Sequence, residues 1–259
     1  MLKCCSLYSG SSGNSFFVQS KNSKILIDVG VSVKKIETAL NEQFNLKLDN
    51  IDAIFITHEH SDHTKGLKII CSKYNIPIYA TKGTWDALNN IDIPLEKKNI
   101  IKLNTSFNFN DLRIFPFPTP HDANEPCGYN IYNNNSKISI ATDIGYINEN
   151  LFNNLKASSF IMLEANYEPN ILKVSHYPYL LKKRIASNNG HLSNIDAGQT
   201  ISKLIDYGLK DALLIHLSKE NNMPEIAYQT VIEKLNKENK NDFNLHIAPR
   251  NNPSTIFNI

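Results

Sequence analysis

The run His58-Glu59-His60-Ser61-Asp62-His63 constrains this chain more than any other stretch. It follows Ala53-Ile54-Phe55-Ile56, a short apolar segment rich in β-formers that reads as a buried strand. Functional groups at the carboxyl end of such a strand stand where α/β folds place their sites. Residues two apart on an extended chain point the same way, so His58 and His60 can grip one metal ion. Asp62 and His63 follow as the chain turns, within reach of a second ion. Neutral imidazoles gain little from clustering unless they share a cation, so a solvated polar loop is the poorer reading. Glu59 points away from His58 and His60 and takes no catalytic role.

A chain of 259 residues can bury a sizeable core. Strand and helix signals interleave through both halves with no linker between them. The expectation is one α/β domain over residues 1–259 with two packed sheets. A formal charge of +2 implies no global attraction to a polyanion, so any nucleic-acid binding rests on a local basic patch. No apolar run reaches the length of a membrane span, and the amino terminus lacks the features of a signal peptide. Cys4, Cys5, Cys71 and Cys127 match no zinc-binding spacing and read as buried free thiols, which points to the cytoplasm.

Residues 2–8, 15–19 and 24–28 read as strands, the first two joined by Ser9-Gly10-Ser11-Ser12-Gly13-Asn14. That turn is a plain hairpin connection in one reading and a phosphate cradle in the other. Helices are expected from Ser32, over 64–74, 84–89, 170–185 and 193–207, and from Pro224. Ser193 with Asp196 forms a capping-box pattern, and Gly208 closes that helix.

A dinuclear site needs more ligands than one loop supplies, and three further polar residues stand just after predicted strands. They are His121 in Thr119-Pro120-His121-Asp122, Asp143 in Thr142-Asp143-Ile144-Gly145, and His216 in Ile215-His216-Leu217-Ser218. Asp28 ends the third strand, where an acid either caps a turn or orients a metal-binding histidine from behind. His191 differs, lying in a loop before the helix at Ser193.

Together these segments resemble the metallo-β-lactamase fold, over nearly the whole chain. More narrowly, the Ser9–Asn14 turn, Thr57–His63, His121-Asp122-Ala123, Gly190–Asn194 and His216–Asn222 resemble the bacterial YycJ/WalJ subfamily. The resemblance implies a four-layer αββα sandwich, two mixed sheets packed face to face with helices outside. It implies 5′-to-3′ exonuclease action on DNA, and DNA repair as its setting. It places His58, His60 and His121 on one metal, and Asp62, His63 and His216 on the other, with Asp143 bridging. Asp62 counts among the catalytic residues as well. The Gly190-His191 spacing is also similar to that of transfer-RNA 3′-processing endonucleases, in which such a histidine serves the scissile phosphate. Glu164, ending the strand Ser158–Leu163, corresponds loosely to an acid assisting it.

The implied chemistry is phosphodiester hydrolysis by a hydroxide bridging two divalent ions, with His191 protonating the leaving alkoxide. The ligands are all nitrogen and oxygen, which zinc, manganese and iron accept alike. Lys182, Lys183 and Arg184, on the helix before His191, are candidate contacts for backbone phosphates. DNA is favoured over RNA as the substrate. An RNA-processing nuclease and a small-substrate hydrolase use the same scaffold, and a nucleic-acid-binding regulatory module is the non-catalytic alternative.

Overall fold

The computed structural model describes residues 1–259. The chain order begins β1 (Lys3–Tyr8), β2 (Ser15–Gln19), β3 (Lys24–Ile27), α1 (Val33–Phe44), β4 (Ala53–Phe55), α2 (Ser61–Thr64), α3 (Leu67–Lys73), β5 (Ile78–Thr81) and α4 (Lys82–Ala87). It continues through β6 (Lys98–Ile101), β7 (Phe107–Phe109), β8 (Leu112–Pro118), β9 (Cys127–Asn133), β10 (Ser136–Ala141), α5 (Glu149–Leu155) and β11 (Phe160–Glu164). It ends with α6 (Pro169–Val174), α7 (Tyr179–Ile185), α8 (Asn194–Ile205), β12 (Asp211–Ile215), α9 (Pro224–Lys237), β13 (Asn244–Ile247) and β14 (Phe257–Asn258). No helix is long and apolar enough to cross a membrane.

Two compact units emerge. The first comprises residues 1–118, 123–136 and 249–259. Its sheet has the order β14-β1-β2-β3-β4-β5-β6. Strands β1 to β3 run antiparallel, and β3 to β6 are parallel. Strand β4 is short, but Ala53, Ile54 and Phe55 are fully buried, and burying one large apolar side chain stabilises by about 1.5–3 kcal/mol. Phe55 stacks on Tyr79 with ring centroids 4.8 Å apart and meets Tyr129 edge-on at 5.7 Å. Ile54, alternating with Phe55, belongs to the buried cluster of Leu26, Ile36 and Leu40, so the strand that launches the histidine motif is pinned on both faces. Helix α1 covers this sheet with Val33, Ile36, Ala39 and Leu40, and ends at Asn45 in a left-handed conformation. Strands β7, β8 and β9 form an antiparallel meander in the same unit.

The second unit comprises residues 119–122 and 137–248. Strands β10, β11, β12 and β13 run parallel in that spatial order. The interior positions of β10, β11 and β12 are wholly buried, as parallel strands covered on both faces require. Ser193 caps α8: its hydroxyl accepts the Asp196 amide at 3.1 Å and donates to the Asp196 carboxylate at 2.6 Å.

Two expected helices are each divided. The segment 64–74 breaks at Lys65–Gly66, because the Gly66 amide donates to the Val29 carbonyl at 2.8 Å. The segment 170–185 breaks at residues 175–178, where Ser175 turns extended and Pro178 cannot supply a helical amide.

Three non-glycine residues at strand ends adopt positive φ: Asp28 at 61°, Asp143 at 54° and His216 at 57°. This conformation costs a non-glycine residue roughly 1–2 kcal/mol. All three belong to the residue set singled out from the sequence.

Candidate metal centre

In the first unit the histidine loop is held from behind by Asp28. One Asp28 oxygen accepts the Thr57 amide at 2.8 Å, and the other accepts the Thr57 hydroxyl at 2.9 Å and His63 Nδ1 at 2.7 Å. Burial raises the Asp28 carboxyl from its ordinary range, against the opposing pull of His63 and Thr57. Since the single Thr57 hydroxyl hydrogen goes to Asp28, its oxygen accepts from His58 Nδ1 at 3.0 Å. The rings of His58 and His60 lie 4.6 Å apart, and those of His58 and His63 4.2 Å.

The Ser9–Asn14 turn buttresses this loop. The Asn14 amide donates to the Asp62 carbonyl at 2.8 Å, and Asn14 Nδ2 lies 3.2 Å from His63 Nε2. Gly10 and Gly13 amides are also engaged internally, by Asn14 Oδ1 and the Gly10 carbonyl. These three amides are spent within the protein, as in a plain hairpin connection. Gly30 explains how the loop passes so closely: a Cβ there would lie 1.6 Å from the Asp62 carbonyl oxygen. Glu59 turns elsewhere, accepting the Asn124 amide at 2.8 Å.

In the second unit the hub is Glu164, fully buried at the end of β11. Its Oε1 accepts His191 Nδ1 and His216 Nδ1, each at 2.8 Å. Its Oε2 accepts the Ile144 amide at 2.6 Å and the Leu192 amide at 3.2 Å. Burial would raise this carboxyl, but His191 and His216 bring it below its ordinary value. Burial likewise opposes protonation of His191, and Glu164 outweighs it and raises the ring. His121 moves the other way, lowered chiefly by burial. The Gly190 carbonyl lies 3.0 Å from His121 Nδ1, and Asp143 Oδ1 stands 3.5 Å from His121 Nε2. Ligand atoms of Asp143, Glu164, His191 and His216 lie within 4.8 Å of one another.

These donors suit a divalent cation. His58, His63, His121 and His216 each have Nδ1 against an oxygen that can accept: Thr57, Asp28, Gly190 and Glu164 respectively. Such a bond fixes the tautomer and makes Nε2 the ligand atom, the usual arrangement of metal-binding histidine. His63 Nε2 to Asp62 Oδ2 and His121 Nε2 to Asp143 Oδ1 both measure 3.5 Å. Metal–ligand bonds of about 2.0–2.1 Å in a tetrahedron give ligand–ligand edges of about 3.3–3.4 Å.

The basic helix divides in its chemistry. Arg184 Nε donates to Asp122 at 2.5 Å, so its guanidinium is tied to the residue after His121. Lys182 donates to the Lys173 carbonyl at 2.9 Å, and Lys183 is exposed. Asn14, Thr57 and Glu164 carry roles that local sequence pattern does not display. Thr57 could have been suspected from its place between strand and histidines; Asn14 and Glu164 act through contacts 49 and 52 residues away along the chain.

The family described as beta-lactamase superfamily domain matches residues 23–217. Exodeoxyribonuclease YycJ of Bacillus anthracis is 37% identical over 234 residues, spanning 90% of this chain and 88% of its own. Exodeoxyribonuclease WalJ of Streptococcus pneumoniae is 37% identical over 233 residues, spanning 88% and 86%. The metallo-β-lactamase fold protein YhfI of Bacillus subtilis superposes with a TM-score of 0.75 at 14% identity, covering 99% of this chain and 98% of its own. That likeness bears out the expected fold class, the αββα sandwich with two mixed sheets. By fold and by descent, the chain belongs to the metallo-β-lactamase superfamily, in its YycJ/WalJ branch.

Proposed function

We propose that this protein is a metal-dependent 5′-to-3′ exodeoxyribonuclease that hydrolyses phosphodiester bonds at a dinuclear centre. The observation carrying this reading is the anchoring of four imidazoles through Nδ1, which prepares Nε2 for a cation. The YycJ and WalJ relatives, named exodeoxyribonucleases, supply the substrate class. His58, His60 and His121 are proposed to hold one ion, and Asp62, His63 and His216 the other, with Asp143 bridging. The whole chain then forms one catalytic domain. Zinc, manganese and iron all satisfy such a donor set. When bound, the ions supply Lewis acidity that activates water and neutralises phosphate oxygens.

The protein's own groups complete the reaction. Asp62, with a side chain 23% exposed, is proposed to accept the proton of the attacking water as well as to bind metal. His191 is proposed to protonate the leaving oxygen. Its side chain is 21% exposed while that of His216 is 1% exposed, so of the two rings on Glu164 only His191 can meet a substrate. Glu164 positions both rings, and Asp28 positions His63. Lys182 and Lys183 are proposed to hold backbone phosphates. Arg184, through Asp122, orients the loop that carries His121. Four buried free cysteines support a cytoplasmic setting, and the relatives' activity fits a role in DNA repair.

The test is purified protein with Mn²⁺ and single- and double-stranded DNA and RNA labelled at either end. The reading expects short 5′-terminal products from DNA and slower attack on RNA. Preferential RNA cleavage, or internal cuts, would replace it with the endonuclease or RNA-processing reading.

A further inference from the structure

The pair α6 and α7 carries a surface that the hydrolytic chemistry leaves unused. Val174, Tyr179 and Leu180 are 79%, 77% and 77% exposed. They fall within one short stretch, whereas the unit's other exposed large apolar residues, such as Tyr146, Tyr207 and Met223, are dispersed along the chain. Single exposed apolar residues are ordinary, and a concentration of them marks an interaction site.

The tip stands on a fixed base. Leu172 and Ile185 are buried with Tyr167, and Tyr177 and Leu181 pack against them. The far end of α7 is docked on the His191 loop. The His191 amide donates to the Ile185 carbonyl at 2.9 Å, and a Cβ on Gly190 would lie 2.2 Å from the Arg184 and Ile185 carbonyl oxygens. Tyr179 thus stands roughly 9 Å along the helix axis from the end nearest His191.

The charge around the tip is one-sided. From Pro169 to Ile195 the chain has no acidic residue and carries Lys173, Lys182 and Lys183, with Arg184 paired to Asp122. In a protein of net charge +2 this is a local concentration of positive charge. Apolar side chains framed by cations complement a ligand with flat apolar faces on an anionic backbone, which is an unpaired nucleic-acid strand.

We infer that the α6–α7 tip is a stacking platform for unpaired bases of the strand being degraded. Tyr179 stacks on a base, Leu180 and Val174 pack beside it, and Lys182 and Lys183 hold the neighbouring phosphates. The inference rests on the nuclease reading above and adds to it where the strand lies. At about 3.4 Å per stacked nucleotide, the base on Tyr179 is two to three nucleotides from the phosphate at His191.

The experiment uses the full chain and a single-stranded DNA oligonucleotide carrying 2-aminopurine at the third or fourth nucleotide from its 5′ end. Tyr179→Ala and Tyr179→Phe are compared with the wild type by anisotropy, by 2-aminopurine fluorescence and by turnover of a small chromogenic phosphodiester. Loss of one stacked base weakens binding by about 5- to 150-fold. The platform expects that loss in Tyr179→Ala, together with loss of the fluorescence change, an unaltered salt slope and full turnover of the small substrate. Tyr179→Phe keeps the ring and keeps binding. Wild-type affinity and fluorescence in Tyr179→Ala, with oligonucleotide cleavage intact, overturn the platform alone. A wild-type protein that neither binds nor cleaves any oligonucleotide overturns the nuclease reading and the platform with it. A variant that binds DNA normally but dissociates from dimer to monomer shows a self-association surface instead, and also overturns the platform.

Discussion

Replacing Glu164 with glutamine leaves the side-chain volume almost unchanged and removes one of two acceptor oxygens. Glu164 now serves four donors: two imidazoles on Oε1 and the amides of Ile144 and Leu192 on Oε2. A glutamine has one oxygen, and the two backbone amides cannot change what they present. The oxygen therefore faces them, and the –NH₂ group faces His191 and His216. Each ring must then offer a bare Nδ1 and carry its proton on Nε2. That ends the charge-assisted bonds, each worth about 1.5–3 kcal/mol, and it removes His216 Nε2 as a metal-ligand atom. Neutral bonds of about 0.5–1.5 kcal/mol replace the charge-assisted ones, so the two rings together lose about 2–3 kcal/mol. At about 2–4 °C per kcal/mol we expect a fall of about 4–12 °C in Tm, with a loss of metal affinity of about 10- to 100-fold. Metal content by mass spectrometry after dialysis, a melting curve and phosphodiester turnover are the assays. A Glu164→Gln protein with unchanged metal affinity and turnover would refute the assignment of Glu164 as the hub.

His191→Ala should retain its metal content while losing about 10²–10⁴-fold in turnover; stoichiometric loss of metal would make His191 a ligand instead. Charge reversal at Lys182 or Lys183 should lower the salt slope of DNA binding by about one per residue, as anisotropy across a salt series would measure. The cysteines give a pH prediction. Burial pushes Cys5 and Cys71 up to about 11 and Cys127 up to about 12, from 9.0. Above pH 9 the unfolded chain sheds thiol protons that the folded chain retains. Stability from these groups is therefore complete below that pH and declines as pH rises through the folded values. Denaturant midpoints should drop on the alkaline side, and a thiol reagent at pH 8 should react only after unfolding.

The strand-end acids and histidines were readable because each apolar run pointed to its own polar successor at the strand's carboxyl end, on parallel strands and, for His121, on antiparallel β8. Asp28 was legible for that reason. Its contact to His63 links residues 35 apart, so its partner could not be read from local pattern. Glu164 was underweighted because its partners come from three other segments, and only β-sheet register and the Gly190 loop bring them together. Helix boundaries failed where local spacing met tertiary demand: Gly66 donates to Val29, and Pro178 interrupts the run 170–185. Helix α5 was not among the expected helices: Asn150, Asn153 and Asn154 are weak helix formers, and the cap that starts it, Asn148 Oδ1 accepting the Leu151 amide, is a local contact. Edge strand β14 is two residues long and has no periodicity to read.

The central claim is that two ions together make the protein a phosphodiesterase. Metal-free protein should be titrated with Mn²⁺ or Zn²⁺ while turnover of a chromogenic phosphodiester is followed. A dinuclear centre gives no turnover in chelator and a rise to a plateau at about two equivalents. A plateau at one equivalent, or turnover that persists in chelator, would contradict it.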